Sequence, residues 1–544
     1  MQRSATDPDA RDSFGGRGPS LAGPEALGVS RTLAWIALAG VAFQAFFAIN
    51  DLGRHVPNMH PEYGTFVALL AMAFAGSRPW RELAAHPAVR LLGVLAVVLI
   101  VHAAYIAWLL PEVRWSNQLT VVAKLLRLGF QTCVIGWWMS VNPRAIPKLL
   151  GVLILGLLAA VLYHMPWSAM PAIWSGEMRP WFGISQNLSG MIAAVGGWLT
   201  LCLLIGIWRD YPRGSRRIWL LVLALLAFAG CFCVLLFSQS RGAWLSFIVA
   251  VPLAIIGYAF TRGPRRRPLP WQPIVLALLV CLILLTAAHR IFALRFDGAN
   301  QLMPAWVEAL LGDKPAGDAD ATQTRAVSAG KTRTPLPAPA VPAPLPAPAP
   351  SSAPAPAPAQ SPALGAATDA PTSDAIAQTP ADPRALPRDI DGLDTAIPGN
   401  KAVGIRMLLY REGVARFLER PWFGWGLDTI PLLIQRAQLP TGGEQFVHLH
   451  NAYLDALVGL GVIGAALLFA VFAMLMRELW LAWRTGIVST ASFWGLAGCV
   501  GIVLIANNFD SLLWRFEYVR APLGLLFGCC MAYGLVRERR AREG

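Results

Sequence analysis

The chain has 544 residues, 56% of them hydrophobic and only 14% charged, and a net charge of +14. A soluble globular domain carries about 25% charged residues, so this composition excludes one and indicates a membrane protein. The positive balance does not point to nucleic acid, because most of it sits in short loops between apolar runs. The eight cysteines all lie inside apolar runs, which argues against both a disulfide framework and a cysteine-based zinc site.

Taken in chain order, apolar runs near 33–50, 62–76, 88–110, 118–140, 146–164, 187–207, 217–237, 241–260, 271–289, 451–476, 488–509 and 519–536 predict twelve transmembrane helices. The run at 62–76 is short, and 118–140 carries Lys124 and Arg127. The first run lacks a small-residue cleavage site and reads as a retained span. The expected fold class is therefore all-α, a polytopic membrane protein.

Basic residues cluster in alternate short loops. Arg78, Arg81 and Arg90 fall in one, Arg144 and Lys148 in the next such loop, then Arg209, Arg213, Arg216 and Arg217, then Arg262 with Arg265, Arg266 and Arg267. The intervening loops hold only Arg54, Arg114, Arg179, Arg241, Arg515 and Arg520. By the positive-inside rule this puts residues 1–32 and 537–544 in the cytoplasm as tails. Helices 1–9 then occupy 33–289, and helices 10–12 occupy 451–536.

One large loop, 290–450, separates the ninth and tenth spans and is expected on the periplasmic side. Its middle, 313–400, is rich in Ala and Pro. Such a stretch buries too little apolar area to offset its ordering entropy, so it reads as a disordered insertion. Beyond it, Val403, Met407, Tyr410, Val414 and Phe417 recur at helical spacing, which predicts an amphipathic helix over 401–420, ended by Pro421. The segment RPWFGWGLDTIP follows as a Gly/Pro-punctuated turn with tryptophans suited to a membrane interface.

Charged groups at membrane depth or at the mouth of a span are costly, and each is a candidate for function. Arg241, in FSQSRGAW, opens the eighth span, where Ser240 can cap the helix. A helix N-terminus with an arginine fork suits phosphate oxygens, although an interfacial arginine also snorkels to headgroups. Arg406 lies early in the amphipathic helix beside its apolar positions, whereas Arg411, Arg416 and Arg420 suit a solvated face. His448 and His450, in HLHNAYLDALVGLGVIG, stand at the mouth of the tenth span. A neutral imidazole there can take a proton from a hydroxyl; a lone interfacial histidine is also often structural. Gly459, Gly461 and Gly464 suit close helix packing. A metal held by both histidines with Glu444 or Asp428 has no third ligand at a telling spacing, so no metal and no cofactor is expected. Gln186 and Asn187 contact sugar or cap a helix. Asp510, Arg515 and Glu517 read as ion pairs and are left out of the catalytic set.

His450-Asn451, nine residues, Gly461, two residues and Gly464 match the H-[NSQ]-x9-G-x-x-G pattern of the O-antigen ligase family, which the chain resembles. The resemblance extends to the count of spans, the large loop before the motif, the Ser-Arg-Gly-Ala start of the eighth span, and the arginine-bearing helix before Pro-Trp-Phe-Gly-Trp-Gly. It implies a metal-independent, inverting glycosyltransferase of the bacterial inner membrane, with its active site facing the periplasm. The donor would be O-antigen on undecaprenyl pyrophosphate and the acceptor a sugar hydroxyl of lipid A–core. The partners are then these two substrates and membrane lipids, with no nucleic acid. His450 matches the family's catalytic histidine, and Arg241 and Arg406 match arginines that hold the pyrophosphate. Lys124 and Arg127 either face the same pocket or pair between helices, and Asn187, His448 and Asn451 complete the set of possible secondary contacts.

Two other activities of the wider superfamily compete, O-antigen polymerase and protein O-oligosaccharyltransferase. The protein-modifying relatives usually continue well past the last span, which favours the ligase. A transporter of lipid-linked glycan is the alternative of another class. Repeat-type transporters show internal symmetry, and none is visible between the two halves.

Overall fold

The computed structural model describes residues 24–48, 60–182, 184–261, 271–289, 291, 401–439, 446–512 and 517–543. The Ala/Pro-rich stretch at 313–400, most of the N-terminal tail, Glu444, Arg515 and the side chain of Glu517 lie outside these residues. Chain contacts separate Met1–Gln301 with Pro398–Gly544 from Leu302–Ile397, and every described residue belongs to the first unit.

Regular structure among the described residues is entirely helical. The elements are α1 (Arg31–Phe47), α2 (Glu62–Phe74), α3 (Arg78–Ala85), α4 (Pro87–Leu109), α5 (Trp115–Val141), α6 (Ile146–His164), α7 (Met170–Trp174) and α8 (Gln186–Asp210). They continue with α9 (Ser215–Phe237), α10 (Arg241–Thr261), α11 (Trp271–Ala287), α12 (Lys401–Glu419), α13 (Ile430–Ala437), α14 (Ala452–Arg484), α15 (Thr490–Ala506) and α16 (Glu517–Glu543). Each apolar run of the sequence coincides with a helix. Seven of these, α4, α5, α6, α8, α9, α10 and α14, are long and apolar enough to cross a membrane. The apolar helices α1, α2, α11 and α15 have 13 to 17 residues, short of the roughly 20 that a 30 Å hydrocarbon core requires. The chain is thus a multi-pass membrane protein with seven candidate spans among the described residues, against twelve read from the sequence.

Serine side chains start several of these helices. Ser30, Ser185 and Ser489 each accept a backbone N–H of the first turn, from Leu33, Leu188 and Ser492, which relieves an unpaired donor. Small residues set a close crossing of α1 and α2: a methyl on Gly64 of α2 would collide with the Gly40 carbonyl of α1. The Thr65 hydroxyl and the Gln44 amide oxygen hydrogen-bond beside it, a polar link of the kind that joins helices in lipid.

One end of the bundle is closed by buried charge. Glu82 on α3 accepts from Arg539 at 2.7 Å, Arg78 at 2.9 Å and the Trp137 indole at 3.0 Å. Burial pushes its carboxyl up, but the two arginines and the indole outweigh this and hold it below the usual range. Glu478 on α14 is fully buried and bridges Arg537 at 2.6 Å and Arg477 at 3.0 Å. His86, the N-cap of α4, lies in the same network with Nε2 3.9 Å from Glu538. Burial lowers its pKa to about 4, with Glu478 opposing and Arg537 assisting. The opposite end, where α8, α10 and α14 begin and α15 stops, holds the histidine motif.

Candidate functional site

The motif turn is shaped by its own polar side chains. Asn451 caps α14, its amide oxygen accepting from Tyr453 N at 3.0 Å and Leu454 N at 3.1 Å. Buried Asp455, in the first turn, reaches back to accept the Leu449 N–H at 3.0 Å. The Ala452 N–H donates to the Asn507 carbonyl at 2.9 Å, which ties this turn to the one after α15. His450, between these anchors, has φ 55°. A left-handed conformation costs a non-glycine residue about 1–2 kcal/mol, and surrounding structure must hold it there.

That conformation sets the imidazole against a carboxylate. His450 Nδ1 lies 3.5 Å from Asp510 Oδ1, an ion-pair contact longer than a fully formed hydrogen bond. Asp510 is buried, and it accepts from the Asn187 amide at 2.7 Å and from the Ser511 N–H at 2.8 Å. His448 approaches from the other side, its Nε2 3.8 Å from Asp510 Oδ1 and its ring 4.2 Å from that of His450. Burial pushes the Asp510 carboxyl up. The His450 imidazole, the His448 charge and the Asn187 amide outweigh burial, holding it below the usual carboxylate range.

The His448 imidazole has an assignable tautomer. His448 Nδ1 accepts the His450 backbone N–H at 3.2 Å, so in the neutral ring its proton sits on Nε2, facing Asp510. A proton placed on His450 Nδ1 would face Asp510, and Nε2 would then carry the ring's basic lone pair. The His448, His450 and Asp510 ligand atoms lie within 4.8 Å of one another, close enough for a metal ion. The His448 tautomer argues against one: a metal at His448 Nε2 needs that nitrogen unprotonated and Nδ1 as a donor, yet Nδ1 already accepts. The donor set fits a carboxylate orienting two imidazoles.

Helix α12 covers this turn. The Tyr410 hydroxyl is 3.2 Å from the His450 carbonyl and 3.1 Å from the Asn508 carbonyl, so one phenol joins α12 to both loops. Arg406 precedes Tyr410 by four residues, on the same helical face. Burial raises the Tyr410 pKa and Asp510 and Asp455 add to the rise, while Arg406 acts in the opposite direction; all three charges are thus within electrostatic reach of the phenol. Arg241 begins α10, whose first turn is capped by Ser240 through the Ala243 N–H at 3.4 Å. A methyl on Gly242 would stand 2.7 Å from Phe509 Cβ, so the residue after Arg241 abuts the residue before Asp510.

The expected residues therefore separate into groups. His448, His450 and Asn187 converge on Asp510, with Arg406 and Arg241 on the elements packed around it. Asn451 uses its amide oxygen as a helix cap, which accounts for that residue locally. Arg127 pairs with Glu62 at 3.2 Å, and Arg520 approaches the same carboxylate at 3.5 Å. For Arg127 the inter-helix alternative describes the structure, and no contact joins Lys124 or Arg127 to the Asp510 group among the interactions described. Asp510, set aside as a structural ion pair, is the residue the sequence reading missed. Its one signal was an acid in a short loop at the same end as the histidines.

Residues 396–469 match the family model described as O-antigen ligase. That match supports the O-antigen ligase family over this segment of the chain. No curated protein matches it. The matched segment contains Arg406, Tyr410, both histidines, Asp455 and the motif glycines, and the family indicates a glycosyltransferase-like enzyme acting on lipid-linked glycans.

Within this O-antigen ligase segment, Gly461 acts differently from the helix packing expected of it. It has φ 64° and ψ −175°, which breaks α14. The segment Pro421–Gly426 lies against the break. Trp425 and Gly426 donate to the Val458 and Gly459 carbonyls at 2.8 Å each, while Val462 and Ile463 donate to Pro421 and Trp422 at 2.8 and 3.3 Å. A side chain on Gly461 would collide with the Trp422 carbonyl, and one on Gly424 would stand 2.6 Å from Gly461 N. The motif glycine thus opens a helix so that a second strand of backbone satisfies its carbonyls.

Proposed function

We propose that this protein is the ligase that transfers O-antigen polysaccharide from undecaprenyl pyrophosphate to a sugar hydroxyl of lipid A–core, at the periplasmic face of the inner membrane. The observation that carries the reading is the contact between His450 of the matched family segment and Asp510 beyond it, with Tyr410 fastening the Arg406 helix to the same turn. In this reading all twelve apolar helices cross the membrane, both termini are cytoplasmic, and 290–450 is periplasmic.

The chemistry follows from the tautomers. Asp510 holds the Nδ1 proton of His450, and Nε2 accepts the proton of the acceptor hydroxyl. The hydroxyl oxygen forms a bond to the anomeric carbon from the face opposite the leaving group. The anomeric carbon–oxygen bond to pyrophosphate breaks, and the sugar inverts. Undecaprenyl pyrophosphate departs with the bonding electrons, and Arg241 and Arg406 balance its charge with guanidinium forks. Such a leaving group departs readily, so placement and charge balance supply most of the acceleration and no metal is required.

The test is a purified reaction in proteoliposomes with defined donor and core acceptor, run with and without a chelator. The native chain should yield glycan-bearing acceptor and free undecaprenyl pyrophosphate, unaffected by chelation, and His450→Ala should yield neither. Unchanged product from His450→Ala would remove the histidine from the mechanism. Loss of product on chelation would replace the base with a metal, and extension of the donor glycan with the core acceptor untouched would make the protein a polymerase.

A further inference from the structure

The segment that repairs the break in α14 packs beside α4, a helix long and apolar enough to cross a membrane. His102 Nε2 is 2.5 Å from the Phe423 carbonyl, and His102 sits seven residues before the end of α4, about 10 Å along the helix axis. Gly461 lies nine residues into α14, a comparable distance from its start. Backbone that is not helical survives at such depth only when its polar groups are satisfied within protein, and here the α14 carbonyls and N–H groups do this. The side chains nonetheless turn outward: Trp422 is 63% exposed and Phe423 55%. The Phe423 ring stands 6.1 Å from that of Tyr105 on α4.

Tyr105 belongs to the exposed apolar stripe of α4, which includes Val94, Val97, Val101 and Trp108 at spacings that share one face of a helix. On a membrane span this stripe is the lipid-facing surface. Helix α12, which ends just before Pro421, presents a stripe of its own. Met407, Val414 and Leu418 are exposed, and with Arg411 they fall within one narrow sector, while Ile405, Leu408 and Leu409 are buried on the other side. Four large apolar side chains from Met407 to Trp422 facing water would form an exposed patch of the kind soluble surfaces avoid.

We infer that α12 lies in the membrane interface, with Met407, Val414, Leu418 and Trp422 immersed in the acyl chains of the leaflet beside the candidate site. The occupant of the stripe is lipid, because the stripe leads through exposed Trp422 and Phe423 to Tyr105 on the lipid-facing side of α4. Arg411, in the middle of the stripe, extends its aliphatic stem along the acyl region and delivers its guanidinium to headgroup phosphates. This inference does not depend on which reaction the site performs. It adds a reason for the position of Arg406: a helix lying in the interface holds that guanidinium at the level where lipid phosphates sit.

Photocrosslinking in proteoliposomes of phosphatidylethanolamine and phosphatidylglycerol tests it on the full chain. A benzophenone amino acid replaces Met407, Val414 or Leu418 in turn, with Val101 on α4 as the lipid-facing reference and exposed Gln435 on α13 as the aqueous one. After irradiation, intact mass spectrometry should show phospholipid adducts at 407, 414 and 418 in yields like that of 101, and several-fold above that of 435. Adducts at 101 without adducts at the three α12 positions overturn the inference. So do covalent dimers formed through α12, which would make the stripe an interface between copies of the chain. Loss of catalytic activity in any variant leaves this readout unaffected, so the two proposals fail independently.

Discussion

His450 Nδ1 stands 3.5 Å from Asp510 Oδ1, and the far oxygen of that carboxylate is held by the Asn187 amide at 2.7 Å. A carboxylate gripped from both sides has one orientation to offer its imidazole. Asp510→Asn keeps the shape and removes the charge, so the wrong His450 tautomer becomes accessible. In the purified reaction its kcat should fall by about 10²-fold or more, with KM for the donor changed little. An unaltered kcat would make Asp510 a structural residue only.

Asn187→Ala should act through the same carboxylate with a smaller effect. One charge-assisted hydrogen bond contributes about 1.5–3 kcal/mol, and water replaces part of it at this half-buried position. The expected loss in kcat is on the order of tenfold. Asn187→Asp, which sets a second negative charge beside Asp510, should be more damaging than Asn187→Ala; the reverse order would contradict the placement.

Tyr410→Phe removes only the hydroxyl that links α12 to the His450 and Asn508 carbonyls. Such a hydrogen bond is worth about 1 kcal/mol, so melting temperature should shift by a few degrees at most while kcat drops several-fold. A matching loss in Tyr410→Phe and Tyr410→Ala would locate the effect in the hydroxyl. Full activity in Tyr410→Phe would show that helix packing alone positions Arg406.

Gly461→Ala should prevent correct assembly, because the added methyl collides with the Trp422 carbonyl and the residue must hold φ 64°. Size-exclusion profiles of a fluorescent fusion should show aggregate in place of the native peak. Gly93→Ala on α4 is the control: nothing lies within 4 Å of its added methyl, and alanine favours a helix by up to about 1 kcal/mol. A native profile for both variants would refute the break in α14.

At the other end of the bundle, His86 is lowered by burial from 6.5 to about 4. The unfolded chain therefore binds a proton more readily than the folded one between these values. Stability from the neutral ring is complete above 6.5 and declines as pH falls toward 4. Melting temperature in detergent should drop between pH 7.5 and 5, and the drop should shrink in His86→Gln. Glu82, also held low, adds its own loss only as pH falls below about 4.5, so the two groups separate by range.

The helical class and the places where helices start were readable from the chain alone. In hydrocarbon every backbone group must bond within its own segment, so long apolar runs leave the backbone one choice, and the Ser240 cap of α10 was legible beside its run. The histidine motif was readable for a similar reason, since His450, Asn451 and Gly461 lie close together along one stretch. Helix length was less legible, because hydropathy marks apolar runs without fixing the 13 to 17 residues at which α1, α2, α11 and α15 stop.

What only the tertiary structure decided is which distant groups meet. Asp510 and Asn187 are far apart in the chain and far from His450 on either side. Their convergence depends on α8, α14 and α15 presenting the same end to one another, a matter of packing that leaves no spacing to read. Gly461 has the same lesson in reverse: as a glycine in an apolar run it looked like a packing residue. Its left-handed conformation follows from a partner backbone more than thirty residues upstream that only the folded chain brings to it.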